Sequence, residues 1–208
     1  MKTQFLLIRH GETEWNTKNL MQGSTNIPLN HVGRSQAKKL GITLQKFPFD
    51  IIYASPLIRA LMTARVIHTY HPETHLIQHN SLKERTFGEY EGKSYNEINA
   101  LSERFKFSEC WNYPFHRSPG GESLYEVRKR IQKFFDQLLF SHAGKTIVIV
   151  SHGVALRIFL GIALNLPMES LGVPSLDNAS ITLLEHIPHH AHLHFINYTK
   201  HLLNHDDQ

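Results

Sequence analysis

The chain has 208 residues, 41% of them hydrophobic and 19% charged, which fits one globular domain with a sizeable core and excludes a disordered chain. Its formal net charge of +4 suits small anionic ligands but is too weak to argue for nucleic acid, and no nucleic-acid motif is present. A single cysteine, Cys110, excludes an intrachain disulfide and a cysteine-based metal cluster. No apolar run nears the roughly 20 residues that span a bilayer, and the apolar start is too short before Arg9 for a secretory signal. The expectation is a cytoplasmic protein that binds no membrane.

Phe5 to Ile8 is a short apolar run that predicts a buried strand. Residues 13–30 read as loop, because Asn, Gly, Ser and Pro recur without a period. A helix opens at Asn30 and runs through Leu40 and Leu44 until Pro48 ends the segment. Asp50 to Ala54 is a second strand, and Ser55-Pro56 turns it into a helix whose Leu57, Leu61, Ala64 and Ile67 fall at helical spacing. That helix stops before Pro72. His75 to His79 is a weaker strand, and residues 82–92 are loop-like. Helices are expected near Tyr95 to Phe105 and from Ser123 to Leu139. Thr146 to Val150 is a strong buried strand whose corner, Ser151-His152-Gly153, leads into a helix from Val154 to Leu164. Ser180 to Glu185 and His192 to Asn197 read as a hairpin around residues 187–190. The alternation predicts a three-layer α/β sandwich, a mainly parallel sheet with helices on both faces, in one domain over 1–208.

Three corners carry chemistry: Arg9-His10-Gly11, Ser55-Pro56-Leu57-Ile58-Arg59 and Ser151-His152-Gly153. Each places a basic side chain just past an apolar strand, and parallel strands would bring all three to one sheet edge, where ligands bind in open α/β sheets. Arginine's planar fork matches phosphate geometry, and imidazole works as nucleophile or base near neutral pH. The helix after His152 offers its N-terminal amides to an anion.

With these three corners, the chain resembles the histidine phosphatase superfamily, which includes the phosphoglycerate mutases. The resemblance lies in Leu7-Ile8-Arg9-His10-Gly11-Glu12-Thr13-Glu14-Trp15-Asn16, Gln22-Gly23, residues 54–60, residues 82–92, Pro119-Gly120-Gly121-Glu122-Ser123 and Val150-Ser151-His152-Gly153, in family order from Leu6 to Ser180. It implies a phosphoglycerate mutase-like fold and a pocket that takes a phosphoryl group onto His10. Arg9, Asn16, Arg59 and His152 would hold the phosphoryl oxygens. Glu84 would give a proton to the leaving oxygen and then activate water, with Glu89 and Glu91 as alternatives. Gln22, Gly23 and Gly153 would touch the phosphate or the substrate. The cap that selects the substrate is expected at roughly 93–122, where Arg117 and His116 would reach a second anionic group and Phe105, Phe107, Trp111, Tyr113 and Phe115 read mostly as core.

The phosphatase branch is favoured, with a small phosphorylated substrate and no cofactor or metal. The alternative is a cofactor-dependent phosphoglycerate mutase. Such mutases carry a longer insert and an adjacent arginine pair, whereas Arg128-Lys129-Arg130 reads here as a solvated helix face. A non-catalytic binding protein is disfavoured because His10 and Glu84 are both present. His186, His189, His190, His192 and His194 form a cluster whose alternation suits a solvated strand face, with Leu193 and Phe195 inward, better than a zinc or nickel site. A monomer and a homodimer are both compatible with the sequence.

Overall fold

The computed structural model describes residues 1–101, 113–168, 173–188 and 190–203. Strand β1 (Thr3–Arg9) leads through a short helix α1 (Glu14–Thr17) to α2 (His31–Leu44), then β2 (Ile51–Ala54), α3 (Ile58–Thr69) and β3 (His75–Gln78). Helices α4 (Tyr95–Ala100) and α5 (Leu124–Ser141) follow, then β4 (Thr146–Ser151), α6 (Gly153–Ala163), β5 (Ile181–Ile187) and β6 (His190–Tyr198). The sheet order is β3-β2-β4-β1-β5-β6. The first four strands in this order run parallel, and β5 and β6 add an antiparallel edge.

The period of two along each strand divides the core between two faces. Phe5, Leu7, Tyr53, Ile147 and Ile149 point to the face covered by α5 and α6. Leu6, Ile8, Ile52, Val148 and Val150 point to the face covered by α2 and α3, where Leu40, Ala60, Ala64 and Ile67 meet them. Burying each large aliphatic side chain contributes about 1.5–3 kcal/mol. These two layers therefore fix the register that aligns the strand ends. Arg9 lies opposite Ser151, and Ala54 opposite Val150.

Several expectations need correction. The segment read as loop contains α1, whose Thr13 and Asn16 side chains cap each other's backbone reciprocally. The third helix begins at Ile58, one residue after Leu57 as N-cap, so Pro56 stands before it. Of the helix expected from Tyr95 to Phe105, the described part is Tyr95–Ala100; Phe105, Phe107 and Trp111 lie outside the described residues. Tyr113 and Phe115 are exposed and not core. In the hairpin, two register shifts between Ile181 and Leu184 break the alternation, so Leu193 packs on the core while Phe195 is exposed. No group of three or more His, Cys, Asp or Glu able to hold a metal occurs among the described residues, which leave out His189. Among them, no helix is long and apolar enough to cross a membrane.

Candidate active site

The three corners meet at the carboxyl edge of β1, β2 and β4 and form one wall of a cleft of about 310 Å³. Arg9, His10, Asn16, Gln22, Gly23, Arg59, Glu84 and Gly153 line it, with Trp15, Leu20, Met21, Phe87 and Tyr95 as its apolar side and Arg157 beside them.

His10 follows the last residue of β1. Its backbone amide donates to the Ser151 carbonyl at 3.0 Å, which carries strand pairing one residue past β1. The carbonyls of Arg9 and His10 both accept from the Ala179 amide, each at 3.1 Å. Nδ1 of His10 lies 2.7 Å from the Gly11 carbonyl, which can only accept, so Nδ1 carries the proton and Nε2 the lone pair. Burial is the main cause that holds its pKa well below the usual histidine value, and the Arg59 and Arg9 guanidiniums add to it. His10 is therefore a neutral imidazole at physiological pH.

Arg59 is fully buried in the first turn of α3. Its Nη1 and Nη2 donate to the carbonyls of Thr25 (2.8 Å) and Gly23 (2.7 Å), and its Nε lies 3.2 Å from His10 Nε2. Burial lowers its pKa to about 10, against which Glu84 acts favourably; it stays charged at neutral pH. Gly23 has φ +51°, and a Cβ there would sit 2.1 Å from Glu91 Oε1. The Glu91 carboxylate fills that space, accepting from the amides of Ser24 (2.9 Å), Thr25 (2.9 Å) and Phe87 (3.0 Å). Glu91 is thus the brace of the loop that holds Arg59, and Glu89 is exposed.

Asn16, which lines the cleft, has its Oδ1 occupied by the Thr13 amide (3.1 Å), the Thr13 hydroxyl (2.9 Å) and Asn178 Nδ2 (3.3 Å). Arg9 Nη1 donates to the Leu176 carbonyl, and its buried Nε has no partner. His152 is buried behind the cleft wall, its ring 5.1 Å from that of His10 and its Nε2 2.7 Å from Ser55 Oγ. Its Nδ1 is a second buried atom without a partner. Its pKa, too, lies well below the usual value through burial first and then Arg59. The Gln22 carbonyl oxygen is similarly unpaired.

Glu84 reaches the cleft from the loop after β3. Its Oε2 accepts from the Val154 amide at 3.1 Å and its Oε1 from the Ala155 and Arg85 amides at 3.2 and 2.8 Å. The first turn of α6 is therefore engaged by a carboxylate of the protein, a correction to the expectation that it offers its amides to the ligand. A Cβ on Gly153 would lie 3.9 Å from both the Arg9 guanidinium and Glu84 Oε2, so this glycine sits between the two.

Not everything expected at the site is there. Arg117 pairs with Glu126 on the exposed surface, away from the cleft. His116 offers its backbone carbonyl to the buried Arg85 and does not line the cleft. The run 128–130 is not simply a solvated face: Arg130 turns in toward Glu122 and the loop of Glu84. Asn178 was not singled out by the sequence, yet its Nδ2 lies 3.0 Å from the His10 carbonyl and 3.3 Å from Asn16 Oδ1. Ala179, which follows it, has a positive φ of 56°, a conformation that no local sequence signal marks.

Comparison with known proteins identifies the family. Residues 5–199 match the family model described as the histidine phosphatase superfamily, branch 1. An uncharacterized phosphatase, PhoE, of Bacillus subtilis is 37% identical over 160 residues, 76% of this chain and 76% of that protein. A 2,3-bisphosphoglycerate-dependent phosphoglycerate mutase of Chlamydia trachomatis is 32% identical over 74% of this chain and 81% of its own. Among solved structures, phosphoserine phosphatase of Entamoeba histolytica in complex with 3-phosphoglyceric acid superposes with a TM-score of 0.84 at 34% identity, over 97% of this chain and all of that one.

Proposed function

The chain belongs to the histidine phosphatase superfamily, branch 1, and from that membership we propose that it is a phosphomonoesterase acting on small phosphorylated metabolites through a phosphohistidine on His10. The observation that carries the reading is the tautomer of His10. A ring whose Nδ1–H is held by the Gly11 carbonyl presents the lone pair of Nε2, 3.2 Å from Arg59, at the cleft.

In the first step Nε2 forms a bond to phosphorus while the ester P–O bond breaks. The leaving oxygen keeps that electron pair and takes a proton from the Glu84 carboxyl. In the second, water attacks the phosphohistidine, Glu84 takes the water's proton, and the N–P bond breaks to return neutral His10 and inorganic phosphate. Arg9, Arg59 and the Asn16 amide would hold the phosphoryl oxygens as charge spreads over them, with His152 behind them, its ring 5.1 Å from that of His10. Two guanidiniums supply the positive charge that metal ions supply in other phosphoryl-transfer enzymes. Gln22, Gly23 and Gly153 shape the substrate side of the cleft, and Tyr95 would belong to its cap, lining the cleft from α4.

Hydrolysis is favoured over mutase chemistry because residues 128–130 do not line the cleft. Arg130 is spent on protein groups, and Arg128 Nη2 lies 3.3 Å from the Leu166 carbonyl. Incubation with 3-phosphoglycerate and catalytic 2,3-bisphosphoglycerate decides between them. Phosphate release should outrun isomerisation; the reverse order would establish the mutase. A phosphomonoester panel then ranks substrates.

A further inference from the structure

We propose that Arg130 and Glu122 form a clamp that positions Glu84 for proton transfer, an inference that rests on Glu84 being the proton donor. Arg130 stands on α5 and Glu122 in the loop before it, 46 and 38 residues from Glu84 in sequence. Nη1 of Arg130 donates to the carbonyls of Ser81 (2.6 Å) and Lys83 (2.8 Å), and Nη2 to the carbonyl of Glu84 itself (3.1 Å). One guanidinium thus gathers three carbonyls of the loop that presents the carboxyl.

Glu122 fixes the fork. Its Oε1 and Oε2 accept from Arg130 Nε (3.0 Å) and Nη2 (3.1 Å), and Oε2 also accepts from the Thr86 amide (3.0 Å) on the far side of Glu84. Both side chains are about three-quarters withdrawn from solvent, at 20% and 28% exposure, where charge-assisted hydrogen bonds resist competition by water. The backbone of Glu84 is therefore held on both sides, and its carboxyl is left to reach the first turn of α6. A bidentate fork fixes direction as well as distance, which lysine cannot reproduce. Proton transfer in a transition state demands hydrogen-bond reach of the leaving oxygen, so a displaced carboxyl loses rate even when it still binds.

Neither residue lines the cleft, so both are positioning residues, and their signature is leaving-group dependence. An alkyl phosphate needs a proton on its departing oxygen; dinitrophenyl phosphate, with a stable phenolate, does not. The test measures kcat/KM for both esters in the wild type, Glu84→Gln, Arg130→Gln, Arg130→Lys, Glu122→Gln and the Glu84→Gln/Arg130→Gln pair. Arg130→Gln should lose roughly 10–100-fold on the alkyl ester and under about threefold on the dinitrophenyl ester. Lysine at 130 should recover part of the alkyl-ester loss. Added to Glu84→Gln, Arg130→Gln should cost under about twofold more, since it acts through a group already removed. Glu122→Gln should show the same pattern more weakly, and carries the test alone if the Arg130 variants do not fold. Equal loss on both esters in a folded variant, or a full further loss beside Glu84→Gln, would overturn the clamp. If Glu84→Gln alone treats the two esters alike, the proton-donor assignment itself falls, a result read without any Arg130 variant.

Discussion

The Nε of Arg59 lies 3.2 Å from Nε2 of His10. The guanidinium that would grip the phosphoryl group is thus in contact with the nitrogen that would receive it, and the opposite nitrogen is tied to the Gly11 carbonyl. On the proposed mechanism the phosphoryl group would therefore go to Nε2. Rapid quench at alkaline pH followed by phosphorus NMR of the denatured protein should show phosphate on Nε2 of His10 and none on Nδ1. His10→Ala should lose that signal and roughly a thousandfold or more in kcat, as removal of a nucleophile does, while keeping its far-ultraviolet circular dichroism. Full turnover in that variant would refute covalent catalysis at His10.

His10 and His152 also set a pH dependence. Both are buried and have pKa values well below 6.5 in the folded protein, whereas the unfolded chain protonates its histidines near 6.5. Above that pH neither state takes a proton and the fold has its full stability. Below it the unfolded chain binds protons that the folded chain refuses, so stability falls as pH drops. The slope is up to about 1.4 kcal/mol per pH unit for each such histidine. Thermal melts between about pH 7.5 and about pH 5 should therefore show Tm falling on acidification, less steeply in His152→Asn. A Tm that holds or rises would contradict the neutral pair. Over the same window His10 keeps its lone pair, so kcat/KM should show no acid limb at the ordinary histidine pKa.

Three glutamates in one loop should separate cleanly. Glu91 accepts three backbone amides that shape the loop around Gly23 and Thr25, whose carbonyls hold Arg59. In Glu91→Gln an amide NH2 must face amide donors, which costs about 1–3 kcal/mol of stability, and the loosened Arg59 should raise KM. Glu84→Gln faces the same loss of stability, since its carboxylate also accepts three backbone amides, but its kinetic effect should fall on kcat and not on KM. Glu89→Gln, on an exposed side chain, should match the wild type in melting and kinetics. A KM unchanged in Glu91→Gln would remove the brace.

The corners at His10, Arg59 and His152 were legible because a short continuous apolar run ends and a basic residue follows within a few positions, and parallel pairing does the rest. Glu84 was legible only by resemblance, since nothing local marks a glutamate in a charged loop. Glu91, Arg130 and Asn178 were beyond local reading, because their partners are tertiary: Asn178 and the His10 carbonyl are 168 residues apart. The α1 helix was hidden because Asn16 stands where the usual capping box has Glu or Gln. Phe195 was misplaced because strand alternation holds only until a bulge shifts it.

Chelation tests the charge assignment. Arg9 and Arg59 both line the cleft, so EDTA treatment followed by gel filtration should leave kcat, KM and Tm unchanged, and added magnesium should restore nothing. The histidines of β6 are part of the same test. His194 Nε2 lies 3.1 Å from Glu185 Oε2, which also pairs with Lys2, an arrangement in which a surface carboxylate already has its partners. A drop in Tm on chelation, recovered by zinc, would overturn the solvated-face reading.

A last prediction concerns two glycines 22 positions apart. Gly11 and Gly33 press backbone to backbone: a Cβ on Gly33 would sit 2.0 Å from the Glu12 carbonyl oxygen and 2.7 Å from its nitrogen. Glu12 is meanwhile stitched to α2, its carbonyl accepting from the Asn30 amide at 3.0 Å and its amide donating to Gln36 Oε1 at 2.8 Å. It has no room to retreat. Alanine gains up to about 1 kcal/mol over glycine in a helix, but forcing a methyl into close-packed backbone costs about 1–3 kcal/mol or more. The clash outweighs the gain, and Gly33→Ala should melt lower. Because the same backbone carries His10 two residues before Glu12, kcat should fall as well. Gly161→Ala in α6 is the counterpart, for its Cβ would meet nothing nearer than Arg128 Nη1 at 3.8 Å. It should raise stability by about 0.5–1 kcal/mol and leave activity alone. Equal behaviour of the two variants would show that the Gly11–Gly33 contact does not hold the nucleophile's loop in place.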